Sequence, residues 1–233
     1  MRRSLFLNTS IAVIAMISAS ASATAADLPA TWSGFYLGAN AGYGFSARDS
    51  AHIVHANGSF VAPNVFNKLT LDGFIGGGTI GYNYQAGSVV LGAEGDFDLM
   101  SAHDSQQQNV AYFDRLSTSI DWLATARVRA GYTFGPALVY ATGGAAFAKF
   151  KSAELYSNPG YGTISNSETK IGFAIGGGVE YALTANLSVK TEYLYADFGK
   201  QSFDVSANAF PAGTTAQIDH ALHIARVGLN YRF

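Results

Sequence analysis

Ile120-Asp121-Trp122-Leu123-Ala124-Thr125-Ala126-Arg127-Val128-Arg129-Ala130-Gly131-Tyr132-Thr133-Phe134 is the stretch that decides the fold. Its even positions are apolar throughout, with aromatics toward both ends. Its odd positions hold Asp121, Arg127, Arg129 and Gly131 among smaller residues. An apolar side chain at every second position is the mark of a strand with two unlike faces. The same alternation runs through 89–99, where Val89, Leu91, Ala93, Phe97 and Leu99 oppose Glu94, Asp96 and Asp98. In 170–181, Ile171, Phe173, Ile175, Val179 and Tyr181 oppose Lys170 and Glu180. In 221–233, Ala225, Val227, Leu229, Tyr231 and Phe233 oppose Arg226, Asn230 and Arg232.

Outward from these, the chain reads as eight strands at about 33–45, 70–83, 89–99, 118–134, 138–149, 168–182, 187–198 and 219–233. The fifth is mostly small residues, so its facing is not set by pattern. Long polar connections (46–69, 100–117, 150–167, 199–218) alternate with short ones at Tyr84–Ser88, Gly135–Ala137 and Leu183–Asn186. That rhythm predicts an all-β, eight-stranded antiparallel up-and-down transmembrane β-barrel with short periplasmic turns and long outer loops. A soluble sandwich or lipocalin-like barrel is the alternative, with the apolar face inside. Two features favour the membrane. The polar face mixes Gly with opposite charges, as a filled lumen does. The apolar face is bracketed by Tyr82, Tyr132, Phe134, Tyr181, Tyr231 and Phe233 at one end, and by Phe45, Phe74, Phe97, Trp122, Phe173 and Phe198 or its neighbours at the other. Such bands are interfacial girdles.

Composition excludes competing classes. Of 233 residues 48% are hydrophobic and only 13% charged, with 26 Gly and no Cys. The aromatic content argues against a disordered chain, and the absence of Cys against a disulfide scaffold. A formal charge of −2 does not suit a nucleic-acid partner. Past the first 26 positions no apolar run is long enough for a membrane helix.

The N-terminus reads as an address. Arg2 and Arg3 precede an apolar stretch from Leu5 to Ile17, then small residues with Ala23-Thr24-Ala25 as a cleavage site. Residues 1–25 are therefore expected to be a secretory signal peptide and residues 26–233 the barrel domain. The mature chain keeps 12 basic and 16 acidic residues, a net charge of −4.

Ala26-Asp27-Leu28-Pro29 followed by Trp32-Ser33-Gly34-Phe35-Tyr36-Leu37-Gly38 resembles the start of the small outer-membrane porin-like (immunogenic) protein family of alphaproteobacteria. The closing Ala225-Arg226-Val227-Gly228-Leu229-Asn230-Tyr231-Arg232-Phe233 resembles that family's ending and the general outer-membrane assembly signal. The resemblance implies an OmpA-type barrel in the bacterial outer membrane. It also implies contact with outer-membrane lipids and lipopolysaccharide, and recognition of the strand ending at Phe233 by the barrel-assembly machinery. With the last strand ending the sequence, a peptidoglycan-binding domain is not expected.

The inward face carries the candidate chemistry. Glu94, Asp96, Asp121, Arg127, Arg129, Glu180, Lys190, Glu192 and Arg226 are expected to form a lumen charge network, with Asp98, Lys170 and Arg232 also inward. Glu180 and Lys190 are equidistant from Ala185, so a symmetric hairpin sets them opposite each other. An eight-stranded interior is only just filled by side chains, so a salt-bridged plug is expected in preference to a pore. Ile75-Gly76-Gly77-Gly78 and Ile175-Gly176-Gly177-Gly178 are followed by strand, not the helix a phosphate loop needs. They, with Gly143-Gly144, are read as making room and relieving curvature.

His52 and His55 lie in the first long connection and His103 in the second. The i, i+3 pair His52 and His55 is a candidate ligand set for a metal or haem iron, and some members of the resembled family bind haemin. With no Cys and no carboxylate cluster, no cofactor or metal is expected and solvated histidines are the default. His223 is expected to face lipid near the outer interface. No G-x-S-x-G elbow or paired Ser and His marks a catalytic site, so no enzymatic activity is expected. The leading expectation is a structural outer-membrane barrel that supports envelope integrity and exposes antigenic loops. The polar loops, with Gln106-Gln107-Gln108-Asn109, Tyr156, Asn158, Tyr161 and Phe210, suit surface recognition. A narrow diffusion porin and a loop-based ligand or adhesion receptor, haemin included, are the alternatives.

Overall fold

The computed structural model of the chain describes residues 31–48, 51–54, 71–110, 113–155, 163–204 and 215–233. The elements are β1 (Gly34–Arg48), β2 (Ala51–Val54), β3 (Gly73–Ala86), β4 (Val89–Val110), β5 (Phe113–Phe134), β6 (Ala137–Leu155), β7 (Thr163–Ala182), β8 (Leu187–Asp204) and β9 (Thr215–Arg232). Each of the eight long strands pairs antiparallel with its neighbours, and β1 closes on β9 with Tyr36 opposite Arg232 and Phe45 opposite His223. β2 continues the β1 edge along β9, Ala51 opposite Ile218. The result is a closed eight-stranded barrel, in which each long strand pairs on both sides and no sheet edge is left open to lipid.

The short turns follow from local chemistry. Gly87 and Gly135, at φ 63° and 58°, each open a two-residue hairpin loop. Gly in the first position is what a II′ turn requires, and Pro136 suits the second. In the third turn the Thr184 hydroxyl accepts the Leu187 N–H at 3.0 Å.

The outer side differs from expectation. The polar pattern predicts loops at 46–69, 100–117, 150–167 and 199–218, and strands enter all four. β4 and β5 run 22 residues each, about twice the 9–11 that cross a bilayer. Gln106 and His103 stand in β4, backbone opposite Leu116 and Ser119. Ser, Thr and Gln pair as well as apolar residues once the neighbouring strand is in register, so polarity was a poor guide to where pairing stops.

The alternation holds through the central band. Phe74, Phe97, Phe134, Phe173, Tyr132 and Tyr231 are exposed. Neighbouring rings meet across strands, as in Phe35–Tyr82 at 4.8 Å and Tyr43–Phe74 at 5.4 Å. Phe198 does not join the outer girdle. It is buried, on the inward row with Leu194 and Ala196, and Tyr195 takes the outward place beside Phe173. Ile120 is likewise buried, not lipid-facing, because a bulge between Ile120 and Leu123 turns both inward.

Two glycine positions show why the barrel closes so tightly. A Cβ on Gly77 would lie 2.0 Å from the Phe97 carbonyl oxygen, and one on Gly176 2.1 Å from that of Tyr193. Neighbouring backbone occupies the space where any side chain would begin. Gly78, by contrast, has nothing nearer than 3.7 Å.

Candidate functional site

The lumen is built in three layers. On the periplasmic side, Trp32, Val90, Leu138, Tyr140 and Ala182 form an apolar floor, with the Arg232 guanidinium 4.9 Å over the Trp32 ring. On the outer side, Leu71, Ile75, Met100, Ile120, Leu123, Phe150, Leu194, Phe198, Leu222 and Ile224 are part of a larger apolar layer. Between them lie the charges.

Strand pleat explains how the middle layer assembles. Glu94, Asp96 and Asp98 are alternate residues of β4, Arg127 and Arg129 of β5, and Lys190 and Glu192 of β8. All point inward and are buried. Arg127 is the hub. Its Nη2 lies 2.5 Å from Glu94 Oε1 and 2.6 Å from Asp96 Oδ2, and its Nη1 lies 3.2 Å from Glu192 Oε1. Arg226 spans the same carboxylates from β9: Nη2 is 2.5 Å from Glu192 Oε2 and 3.0 Å from Asp96 Oδ1, and Nη1 is 3.0 Å from Asp98 Oδ2. Arg129 pairs with Glu180 at 2.8 Å.

Hydroxyls complete the shell. Tyr36 donates to Glu94 at 2.7 Å and Tyr140 to Glu192 at 2.9 Å. Thr79 and Thr125 donate to Asp96 at 2.7 and 2.8 Å, and Ser188 to Glu180 at 2.6 Å. The Arg129 guanidinium also sits 4.2 Å over the Tyr140 ring. An isolated ion in a low-dielectric interior costs several kcal/mol; here each carboxylate meets at least one cation or hydroxyl.

Eight of the nine expected lumen residues thus meet in this layer, and Asp121 does not. It sits at the bulge beside Ile120, half-exposed, and pairs with Lys151 at 2.8 Å on the outer rim. The extra bulge residue shifts the alternation by one, which takes Asp121 off the inward row. Glu180 and Lys190 do stand opposite each other in the β7–β8 register. Their ionic partners lie elsewhere: Lys190 reaches Glu94 at 3.0 Å, and Glu180 takes Arg129. In so narrow a lumen a residue across the barrel is as near as one on the next strand. Tyr36 and Tyr140 are the members that pattern reading missed. Both lie on the inward alternation, but an aromatic near a strand end reads as a girdle residue.

Of the histidine pair, His52 is described only through its backbone, opposite Gln217. His55, the expected signal peptide at 1–25, and Tyr156, Asn158, Tyr161 and Phe210 lie outside the described residues. His223 packs outward among Phe45, Tyr193 and Tyr195, with its Nδ1 2.5 Å from the Tyr193 hydroxyl.

His220 stands three residues beyond the outer girdle of β9, outside the membrane-crossing part. It is buried against Phe150, with ring centroids 4.7 Å apart. Burial, with the nearby charge of Lys170, depresses its pKa to about 4. A histidine held neutral in the fold lets the unfolded chain take up the proton first. Its contribution is therefore complete above about pH 6.5 and is lost as pH falls toward about 4, by at most about 1.4 kcal/mol per unit. Urea midpoints at pH 7 and pH 5 should separate for the native chain and separate less for His220→Gln; equal separation would remove His220 as the cause.

A sequence comparison places this geometry. The chain matches the family model of the outer membrane protein β-barrel domain over residues 9–233. It belongs to that outer-membrane barrel family. It is 35% identical to the 31 kDa outer-membrane immunogenic protein of Brucella melitensis, across 98% of this chain and 95% of that one. It is 28% identical to a 22 kDa outer membrane protein of Rhizobium leguminosarum, across 78% and 72%. Among solved structures it is similar to OprG of Pseudomonas aeruginosa, at 12% identity and a TM-score of 0.49, covering 86% of this chain and 97% of that one. This outer-membrane barrel therefore carries the alphaproteobacterial resemblance read from its two ends along nearly its whole length.

Proposed function

We propose that the protein is a closed structural barrel that reinforces the outer membrane without conducting through it, and that its outer loops form an exposed antigenic surface. The observation that carries this reading is the layered lumen. A hydrated path would have to cross an apolar outer layer, a buried ionic layer knit by short ion pairs, and an apolar floor. The same packing supports a non-catalytic role, because the carboxylates are held by cations and buried from any substrate. Within this reading, outer-membrane lipids and lipopolysaccharide surround the apolar band, and the strand ending at Phe233 is the handle for the barrel-assembly machinery.

Planar-bilayer recording tests it. The refolded protein is expected to leave the membrane at baseline conductance over the physiological voltage range. Discrete, stable openings would overturn the closed reading and favour the narrow porin.

A further inference from the structure

We infer that the outward face of β5, β6 and β7, just above the outer girdle, binds the phosphate of an outer-leaflet glycolipid headgroup through Lys149 and Lys151. On β6, Ala148 and Phe150 point inward and are buried. Phe147, Lys149 and Lys151 therefore form one outward row, with two ammonium groups directly above an aromatic. The register surrounds them with hydroxyls. Thr169 lies opposite Lys149, while Ser167 and Ser119 flank Lys151 on either side. Below this collar the surface turns apolar, with exposed Ile171 opposite Phe147, and Trp122 stacked on Phe97 at 5.8 Å.

This order, aromatic then lysine then hydroxyl, matches the order of acyl chain, interface and phosphorylated headgroup in an outer leaflet. Long lysine stems reach that level from the membrane edge. Lys151 is held over the rim by Asp121 at 2.8 Å. Among the described residues Lys149 has no ion-pair partner. On the outward rows one carboxylate, Asp121, stands against two ammonium groups, and Glu168 between Ser167 and Thr169 is offset by the nearby Lys170, which leaves the patch with a net charge of +1. One pleat beyond the outer girdle on other strands, the described outward residues are Ser101 and the acidic Asp72 and Asp197, so the cationic site is on one side of the barrel. A phosphate, an acceptor for several donors at once, is the chemistry that two lysines and three hydroxyls complement.

The inference rests on the outer-membrane barrel reading, and its test keeps the two apart. The refolded protein is titrated with bisphosphorylated lipid A, dephosphorylated lipid A and phosphatidylglycerol, while heat-modifiable migration reports the barrel for every variant. The native chain should prefer bisphosphorylated lipid A over both other lipids. Lys149→Gln with Lys151→Gln should weaken that binding about thirtyfold, the effect of two lysines at an anionic surface, and keep heat modifiability. Lys149→Arg with Lys151→Arg should retain binding, and Asp121→Asn should tighten it. Unchanged binding in the glutamine variant, or equal binding of phosphatidylglycerol, would overturn the site while leaving the barrel intact. Absence of heat modifiability in the native chain would instead overturn the barrel.

Discussion

Arg127→Leu should destabilise the refolded barrel by roughly 3–5 kcal/mol, the cost of leaving buried charges without their partner. Arg127 reaches Glu94, Asp96 and Glu192 together, a set it shares with Arg226, and its side chain is fully buried. Removing it leaves one buried negative charge uncompensated, because Lys190, Arg129 and Arg226 must then hold the three carboxylates with one cation fewer. The figure measures that orphaning, not the worth of the ion pairs, since a whole network can be exchanged for apolar groups at little cost. Arg127→Lys should fall between, because it keeps the charge and loses the planar fork that serves several acceptors. Urea titration of the two variants in one detergent checks both. A loss below about 1 kcal/mol for Arg127→Leu would mean that the layer is hydrated or the carboxylates re-pair.

Gly77→Ala should cost about 3 kcal/mol, the upper end of what overpacking causes, while Gly78→Ala should stay within about 0.5 kcal/mol of the native chain. The two substitutions are chemically identical and adjacent. At Gly77 the new methyl falls on the Phe97 carbonyl, with Asp98 close behind; at Gly78 it meets ordinary van der Waals space. Backbone at 2.0 Å has no rotamer by which to yield, so the β3–β4 register itself must shift. The same urea titration, with heat-modifiable migration as a check on closure, reads the contrast. Equal losses at the two positions would show that these glycines serve flexibility, not clearance.

The eight strands were legible because side-chain alternation has a period of two, and a membrane barrel puts the two faces in opposite solvents. Glu94, Asp96, Arg127, Arg129 and Arg226 could be placed inward from parity alone. Asp121 could not, because a bulge is one added residue that leaves no mark in composition. Phe198 and Ile120 were misplaced for a related reason. An apolar side chain near a strand end satisfies either face, and only the neighbouring strands show which one it took.

Sequence alone determined the barrel class, the strand count, the three short turns and, Asp121 apart, which charges face inward, because each follows from local parity or connection length. The tertiary structure decided what the charges do there. Lys190 stands opposite Glu180 in register, yet pairs with Glu94 across the lumen. The apolar layers above and below the ions come from residues of different strands that share a height. Partner choice and layering depend on barrel radius and strand stagger, which no single strand encodes. Closure brings β4 within reach of β8, and that proximity makes a row of charges into a paired ionic layer.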